Sequence, residues 1–531
     1  MTVDRNQTLH LAAAALALLS VAYYALYINA GFNYSDDGNY AQTAYELFLG
    51  RPPLDLDLSY GLMWYQAGAA LFHLFGVDFL LVRLLFFGTI TLTTLLVFYS
   101  LARATGSILA AGLLAAVIAL VPAFPATAFY GLCVALNAAA QLRLARRKDA
   151  TAMDGALAGA ALAASFQIRP DFGFIFAGSL AVTVLLLFWP RRQSYAPRIA
   201  AGIVGGFAVV ALPAAALAFA GGYGSILTRQ YLDYPKLLVG LLLNGLTAGP
   251  TLGLLARPGL AAPGLAALVY LPLAIFAAAG AYFLLTIKDT FKRDVGAAAQ
   301  MVIALAAGVA AFPHYFLYRP DISHIANFMP GFVLMAGVFL GRLKENGIVV
   351  LRPLAFAGAG LTGLYFVLYL AIGLPSPATG SIGMSTGRTE PFTAANGVNV
   401  KVAPGELAQL TFLRDTVLAN SRPGDAIVCV PYCPGVAFMT GRRMLLHNFY
   451  VDDTFPQLRP RWLATAIAET RAARPPVVIV QDWAINGTEQ SRFANWAATY
   501  IDAVKEQARD ILTGPATTIY LINPTTETPP S

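Results

Sequence analysis

Charge is scarce in this chain of 531 residues: Asp, Glu, Lys and Arg together supply 12% of it, where soluble globular domains carry about 25%. With hydrophobic residues at 57%, that scarcity excludes an ordinary soluble protein. Cysteine is scarcer still. Three cysteines cannot staple a disulfide-dense secreted scaffold, and Cys429 and Cys433 in CVPYC have no histidine pair nearby to complete a zinc site. No tandem repeat is present. The formal net charge of +7 does not indicate nucleic acid, because Lys and Arg are dispersed in short loops instead of massed on one soluble face.

What is present is a succession of apolar runs of about twenty residues separated by short basic clusters, the pattern of a polytopic membrane protein. The first run, residues 9–30, is too long for a signal-peptide core and lacks a small-residue cleavage site, so it is expected to remain as a span. Further spans are expected at 78–102, 107–125, 126–142, 155–168, 172–189, 199–220, 264–287, 296–313, 325–341 and 348–373, about eleven in all. Residues 60–76 are apolar and aromatic but short for a crossing, which suits a juxtamembrane or re-entrant helix. With the N-terminus in the cytoplasm, alternate loops hold Arg103; Arg143, Arg146, Arg147 and Lys148; Arg191, Arg192 and Arg198; Lys288, Lys292 and Arg293; and Arg342, Lys344 and Arg352. Basic residues mark cytoplasmic loops, so this orientation is expected, in a plasma (inner) membrane.

From residue 374 charges return and apolar runs shorten to strand length, as in AIVCV (426–430), PVVIVQ (476–481) and TTIYLI (517–522). Helices are expected near Glu406–Asn420, Arg461–Ala473 and Glu489–Lys505. The fold class is therefore a mainly α membrane protein. A transmembrane domain at 1–373, with a first outer loop at 31–77, precedes an extracytoplasmic α/β domain at 374–524, packed as a three-layer sandwich, and a disordered tail at 525–531. Cys133 falls within a span as a small buried hydrophobe. Cys429 and Cys433 face an oxidising compartment in this topology, where they could join.

The informative residues of a membrane protein are ionisable groups at spanning depth or at helix mouths, since each costs about 2.5–3.5 kcal/mol when placed centrally. Here they gather on one side: Asp36 and Asp37 after the first span, Arg169 and Asp171 in an RPD corner, and His314, Arg319, Asp321 and His324 in HYFLYRPDISH. Taken singly, an aspartate can merely end a span, an arginine can snorkel to lipid phosphates, and a histidine can be a packing residue. Together they indicate one polar site near the outer leaflet. Carboxylates can deprotonate a hydroxyl or bind a metal, and arginine matches phosphate bidentately, a combination suited to displacement of a lipid-linked phosphate beside Arg169, Arg319 or Lys236. Residues 221–263, which include RQYLDYPKLLVGLLL, have the amphipathic character of an interfacial lid.

The stretch SDDGNYAQTAYELFLGRPPLDLDLSYGLMWYQAGAALFHLFGVDFLLVRLL resembles the opening of GT-C glycosyltransferases, which include protein O-mannosyltransferases and the lipid A aminoarabinose transferase. The matching positions are Asp36, Asp37, Tyr40, Ala41, Gly50, Pro52, Pro53, Leu74, Phe75, Gly76, Arg83 and Leu84. Many relatives carry Asp-Glu in place of Asp36-Asp37, and LSYGLMWY stands where the aminoarabinose type has His-Pro-Pro. The resemblance implies the GT-C fold, a polyprenyl-phosphate-linked sugar donor, a lipid, glycan or protein acceptor, and an inverting single displacement. By analogy Asp36 or Asp37 is the base, with Asp36 slightly favoured, while the other orients the acceptor or binds a divalent cation. Arg169 and Arg319 are candidates for the leaving phosphate, and Lys236, His314, Asp171, Asp321 and His324 for contacts to phosphate or sugar. A secondary transporter or lipid-linked sugar flippase is the main rival class, but it would place its charges near mid-membrane. A non-catalytic scaffold would tolerate loss of both aspartates.

Overall fold

The computed structural model describes residues 4–51, 61–122, 125–146, 149–188, 196–220, 231–232, 263–318, 322–345, 352–376, 380–446, 459–484, 489, 492–514 and 516–523. The expected lid at 221–263 and tail at 525–531 lie almost wholly outside these. Contacts within the chain divide it into two compact units: Met1–Tyr27, Phe86–Ala220 and Gly224–Ser385 form one, and Ile28–Leu85, Gly221–Tyr223 and Thr386–Ser531 the other. Residues 28–85 therefore group by contacts with residues 386–531.

The helices are α1 Arg5–Ala25, α2 Asp36–Phe48, α3 Leu62–Phe75, α4 Phe79–Thr105, α5 Ile108–Leu120, α6 Phe129–Arg146, α7 Ala152–Ile168, α8 Pro170–Phe188, α9 Ala196–Ala220, α10 Pro263–Arg293, α11 Val295–Tyr318, α12 Ile322–Glu345 and α13 Arg352–Gly373. Each expected span falls on one of them. Among the described residues, seven helices are long and apolar enough to cross a membrane, and the protein is a multi-pass membrane protein. Helix α3, at 14 residues, rises about 21 Å, short of a bilayer core of about 30 Å. The first helix ends at Ala25, not near Ala30, because the next backbone groups take strand-like partners: Lys401 N donates to Asn29 O (2.8 Å) and Gly31 N to Lys401 O (2.7 Å).

In the membrane unit, polar side chains join helices where apolar packing alone gives little preference for one neighbour. Asn137 Nδ2 on α6 donates to Ser165 Oγ on α7 (2.6 Å), and Gln141 Nε2 to Phe176 O on α8 (3.1 Å). Cys133, one turn from Asn137, is fully buried. A close approach joins α7 and α9 through Gly155 and Gly159 on one helix and Gly202 and Gly206 on the other. A Cβ at Gly159 would fall inside the carbonyl oxygen of Ile203, and one at Gly206 inside that of Ala156.

The α/β region adds α14 Ser381–Ser385, β1 Glu390–Thr393, β2 Asn399–Val402, α15 Pro404–Asn420, β3 Ala426–Val430, α16 Gly435–Thr440, β4 Arg443–Met444, α17 Arg459–Ala473, β5 Val477–Gln481, α18 Phe493–Trp496, α19 Ala498–Lys505, β6 Ala508–Gly514 and β7 Thr517–Ile522. Strands β1 and β2 form an antiparallel pair, and the larger sheet runs β4-β3-β5-β7-β6. In it β3 is parallel to β4 and β5, whereas β7 is antiparallel to β5 and β6. Alternate residues Val428, Val430, Val478, Val480, Tyr520 and Ile522 share a core with Trp462 of α17 and with Phe493, Tyr500 and Val504 of α18 and α19, as the two-residue strand period requires. Phe412 of α15 meets Gly514, which pairs with Thr517 and so lies on the opposite face. The single helix expected over 489–505 is instead two, broken at Ala497 (φ −110°, ψ 25°), which lets Phe493 and Trp496 turn their rings against Trp462.

Because the α7–α9 approach has no room for a β-carbon, Gly159→Leu or Gly206→Leu is expected to destabilise the folded protein by about 1–3 kcal/mol or more. Thermal unfolding in detergent measures this; an unchanged Tm in both variants would contradict the packing.

Candidate active site

The acidic turn is built from Asn33 onward. Asn33 Oδ1 accepts the backbone N–H groups of Ser35 (2.9 Å) and Asp36 (3.1 Å), an Asx turn that opens α2. Asp36 and Asp37 thus occupy the first turn of a helix, where its dipole favours negative charge. Successive helical residues point about 100° apart, and the two carboxylates meet different surroundings as a result.

Asp37 turns inward. Its Oδ2 lies 2.7 Å from Arg83 Nη2, with both side chains almost wholly buried. Arg83, on the first turns of α4, also donates from Nη2 to Gly31 O (3.0 Å) and places its guanidinium 5.1 Å from the centre of the Phe79 ring. Burial pushes the Asp37 carboxyl up to about 6 against the opposing pull of Arg83, with nearby Asp36 adding to the rise. Removing one partner of such a buried pair strands the other charge, at a cost of about 3–5 kcal/mol.

Asp36 stays partly exposed. Tyr432 donates its phenol hydrogen to Asp36 Oδ1 (3.2 Å), and Asn33 Nδ2 lies 3.4 Å from Oδ2. Tyr432 belongs to the CVPYC loop after β3, closed by a disulfide between Cys429 and Cys433. The same loop takes the Ser35 hydroxyl on its Tyr432 carbonyl (2.7 Å), and Gly435 N donates to Tyr34 O (2.8 Å). Gly38 and Gly435 allow the two backbones to touch, since a Cβ on Gly38 would stand 2.5 Å from Gly435 Cα. The phenol of Tyr34, its pKa raised by burial, accepts from Gln409 Nε2 (3.2 Å) and bonds with Gln481 at the end of β5.

The far end of α2 is anchored as well. Fully buried Glu46 accepts from Gln42 Nε2 (2.9 Å) and Met444 N (3.0 Å), and pairs with Arg51 (3.2 Å). On the other flank, Tyr40 donates to Trp64 O on α3 (2.7 Å). Gly76, which ends α3 with φ +86°, is the glycine of the LFG motif and requires that residue's left-handed freedom.

In the membrane unit, Arg169 caps α7 and Pro170 opens α8. Buried Arg169 donates from Nε to Asp171 Oδ1 (2.8 Å) and from Nη1 to the Tyr130 hydroxyl. Asp36 and Asp37 are thus described in one unit and Arg169 with Asp171 in the other. Lys236, Arg319 and Asp321 lie outside the described residues; His314 and His324 lie on α11 and α12, at positions whose side chains are not described. In sequence Arg83 is marked only by its position in the motif, which names no partner for it, and the CVPYC loop only by its two cysteines. A lone arginine opening a span after an acidic pair was the available signal; Tyr432 left none. A divalent cation would find only Asp36 and Asp37 at the turn, and Asp37 is committed to Arg83. Among the described residues no group of three or more His, Cys, Asp or Glu side chains could hold a metal.

No protein-family model matches the chain, and no curated protein does. Solved structures do. ArnT from Cupriavidus metallidurans bound to undecaprenyl phosphate is 13% identical with a TM-score of 0.51, the match covering 98% of each chain. The chain has the GT-C fold. A structure of the same ArnT in its apo state is 12% identical with a TM-score of 0.47 over 96% of each chain. Within the GT-C fold of this chain, the acidic turn, α3 and the start of α4 are the segments that carried the sequence resemblance.

The Asp37 pKa of about 6 stands above the ordinary carboxyl value near 4, so the folded protein binds this proton more tightly than the unfolded chain. The group's contribution to stability is therefore greatest below about pH 4 and is lost as the pH rises through about 6. The Tm of the wild type minus that of Asp37→Asn should fall across this window. A difference that stays flat or grows would contradict the assignment.

Proposed function

We propose that the protein is a glycosyltransferase that moves a sugar from a polyprenyl-phosphate donor to a hydroxyl of a lipid, glycan or protein acceptor on the extracytoplasmic face of the plasma membrane. The observation that carries this reading is the unequal environment of the two aspartates, in a chain with the GT-C fold: Asp37 is buried and paired with Arg83, while Asp36 stays partly exposed. Asp36 is the base. It accepts the proton of the acceptor hydroxyl as that oxygen bonds to the anomeric carbon; the bond from that carbon to the phosphate oxygen breaks, and polyprenyl phosphate leaves with inversion at the sugar. Asp37 fixes the turn and holds negative charge beside the base.

The undecaprenyl phosphate in the ArnT structure supports the donor class. Arginines suit the leaving phosphate because their planar donors match its oxygens and keep their charge. Arg169 and Arg319 fill this role, with Lys236 and His314 as further contacts, while Asp171, Asp321 and His324 orient the arginines or the sugar. The segregation of Lys and Arg into alternate loops supports a cytoplasmic N-terminus and an extracytoplasmic α/β domain.

The test is sugar transfer by the purified protein in proteoliposomes, using a panel of polyprenyl-phosphate-linked hexoses and pentoses. Asp36→Asn is expected to lower kcat by about 10²-fold or more while unfolding at the wild-type temperature; full transfer by that variant would sink the reading. Arg169→Gln is expected to lose about 10²-fold in kcat.

A further inference from the structure

We infer that the disulfide-closed loop Cys429–Cys433 is a positioning element for the reacting carboxylate, with Tyr432 as its contact residue. The inference rests on Asp36 being the base and adds what holds that base in place. Within one compact unit, the loop meets the acidic turn at several consecutive residues. Tyr34 O receives Gly435 N (2.8 Å), the Ser35 hydroxyl donates to Tyr432 O (2.7 Å), and Asp36 Oδ1 receives the Tyr432 phenol (3.2 Å). Gly38 packs against Gly435 with no room for a β-carbon on either side.

These contacts form a two-point grip by one residue. The Tyr432 carbonyl holds the residue preceding the base, and its phenol holds the base itself. Tyr432 is buried, with 3% of its surface exposed, so its ring has little freedom to swing away. The disulfide spans residues whose Cα atoms are 5.5 Å apart and only four positions apart in sequence, and so restricts the short segment that carries Tyr432. A phenol that donates to a carboxylate also fixes which way its second oxygen faces, and orientation of the base toward the acceptor hydroxyl belongs to kcat. Tyr432 is a positioning residue: it acts through Asp36 and not on the sugar. Cys133, the remaining cysteine, is buried on α6 and free, which leaves Cys429–Cys433 as the disulfide that a reductant would open.

The test uses the proteoliposome assay with wild type, Asp36→Asn and Tyr432→Phe. The phenylalanine variant keeps the ring and the main-chain carbonyl but removes the bond to Asp36. Its kcat is expected to fall about ten- to a hundredfold, with KM for donor and acceptor within about twofold. Dithiothreitol, itself oxidised to its cyclic disulfide, reduces Cys429–Cys433 to two thiols and should lower the wild-type kcat reversibly, with recovery on reoxidation. If Asp36→Asn retains full activity, the base assignment has failed. If Asp36→Asn is inactive but Tyr432→Phe keeps the wild-type kcat, the positioning role alone is overturned. Should Tyr432→Phe not fold, the reduction cycle decides: a reduced protein with undiminished kcat overturns the role of the loop.

Discussion

A buried carboxylate facing a buried guanidinium is the constraint on which the candidate site depends. Asp37 and Arg83 meet at 2.7 Å with almost no solvent access, a pairing that carries a desolvation penalty and survives only where geometry is good. Its value here is positional. Arg83 rides on the first turns of α4 and also holds Gly31 O, so the chain leaving the first helix is tied to the start of the next long one at two points. With Asp37 turned inward, the helical rotation of about 100° per residue sends Asp36 elsewhere, and two adjacent aspartates acquire different surroundings.

The acidic turn is also gripped from the α/β side. Helix α2 carries Asp36 at one end and Glu46 near the other, and each end contacts residues more than 390 positions away in the chain: Tyr432 at the first, Met444 N at the second. Glycines make the first of these contacts feasible, since Gly38 and Gly435 let two backbones touch. The parallel strand β3 delivers the CVPYC loop to this point, consistent with the general tendency of parallel sheets to present functional loops beyond the C-terminal ends of their strands. The helical unit uses related devices within itself. Opposed glycine pairs bring α7 and α9 together, and Asn137 and Gln141 cross between helices where few other forces specify a neighbour.

Much of the fold was legible because its signals are local. Apolar runs of spanning length fall on helices, and AIVCV and TTIYLI are strands with the bounds their composition suggested. The 489–505 segment broke at Ala497 because a non-local aromatic cluster with Trp462 outweighed continuous helical propensity. Strand β6, ARDILTG, carries no strand signal of its own, since its mixed polarity acquires meaning only beside β7. At the acidic turn, Asp36 and Asp37 are visible in sequence as a pair, but which of them is buried is not. The partners of Arg83 and Tyr432, Asp37 and Asp36, lie 46 and 396 positions away and leave no local mark in the sequence.

What the amino-acid order decides by itself is the solvent each segment can tolerate. Sparse charge and long apolar runs commit the chain to a membrane, the LFG glycine permits the positive φ that ends α3, and the acidic pair after the first helix marks where chemistry could occur. Which aspartate is buried, what neutralises it and what holds its neighbour were decided only by tertiary structure. Those outcomes depend on electrostatic and hydrogen-bond partners brought within about 3 Å from 46 and 396 positions away, and interactions of that range leave no periodicity in the sequence to be read.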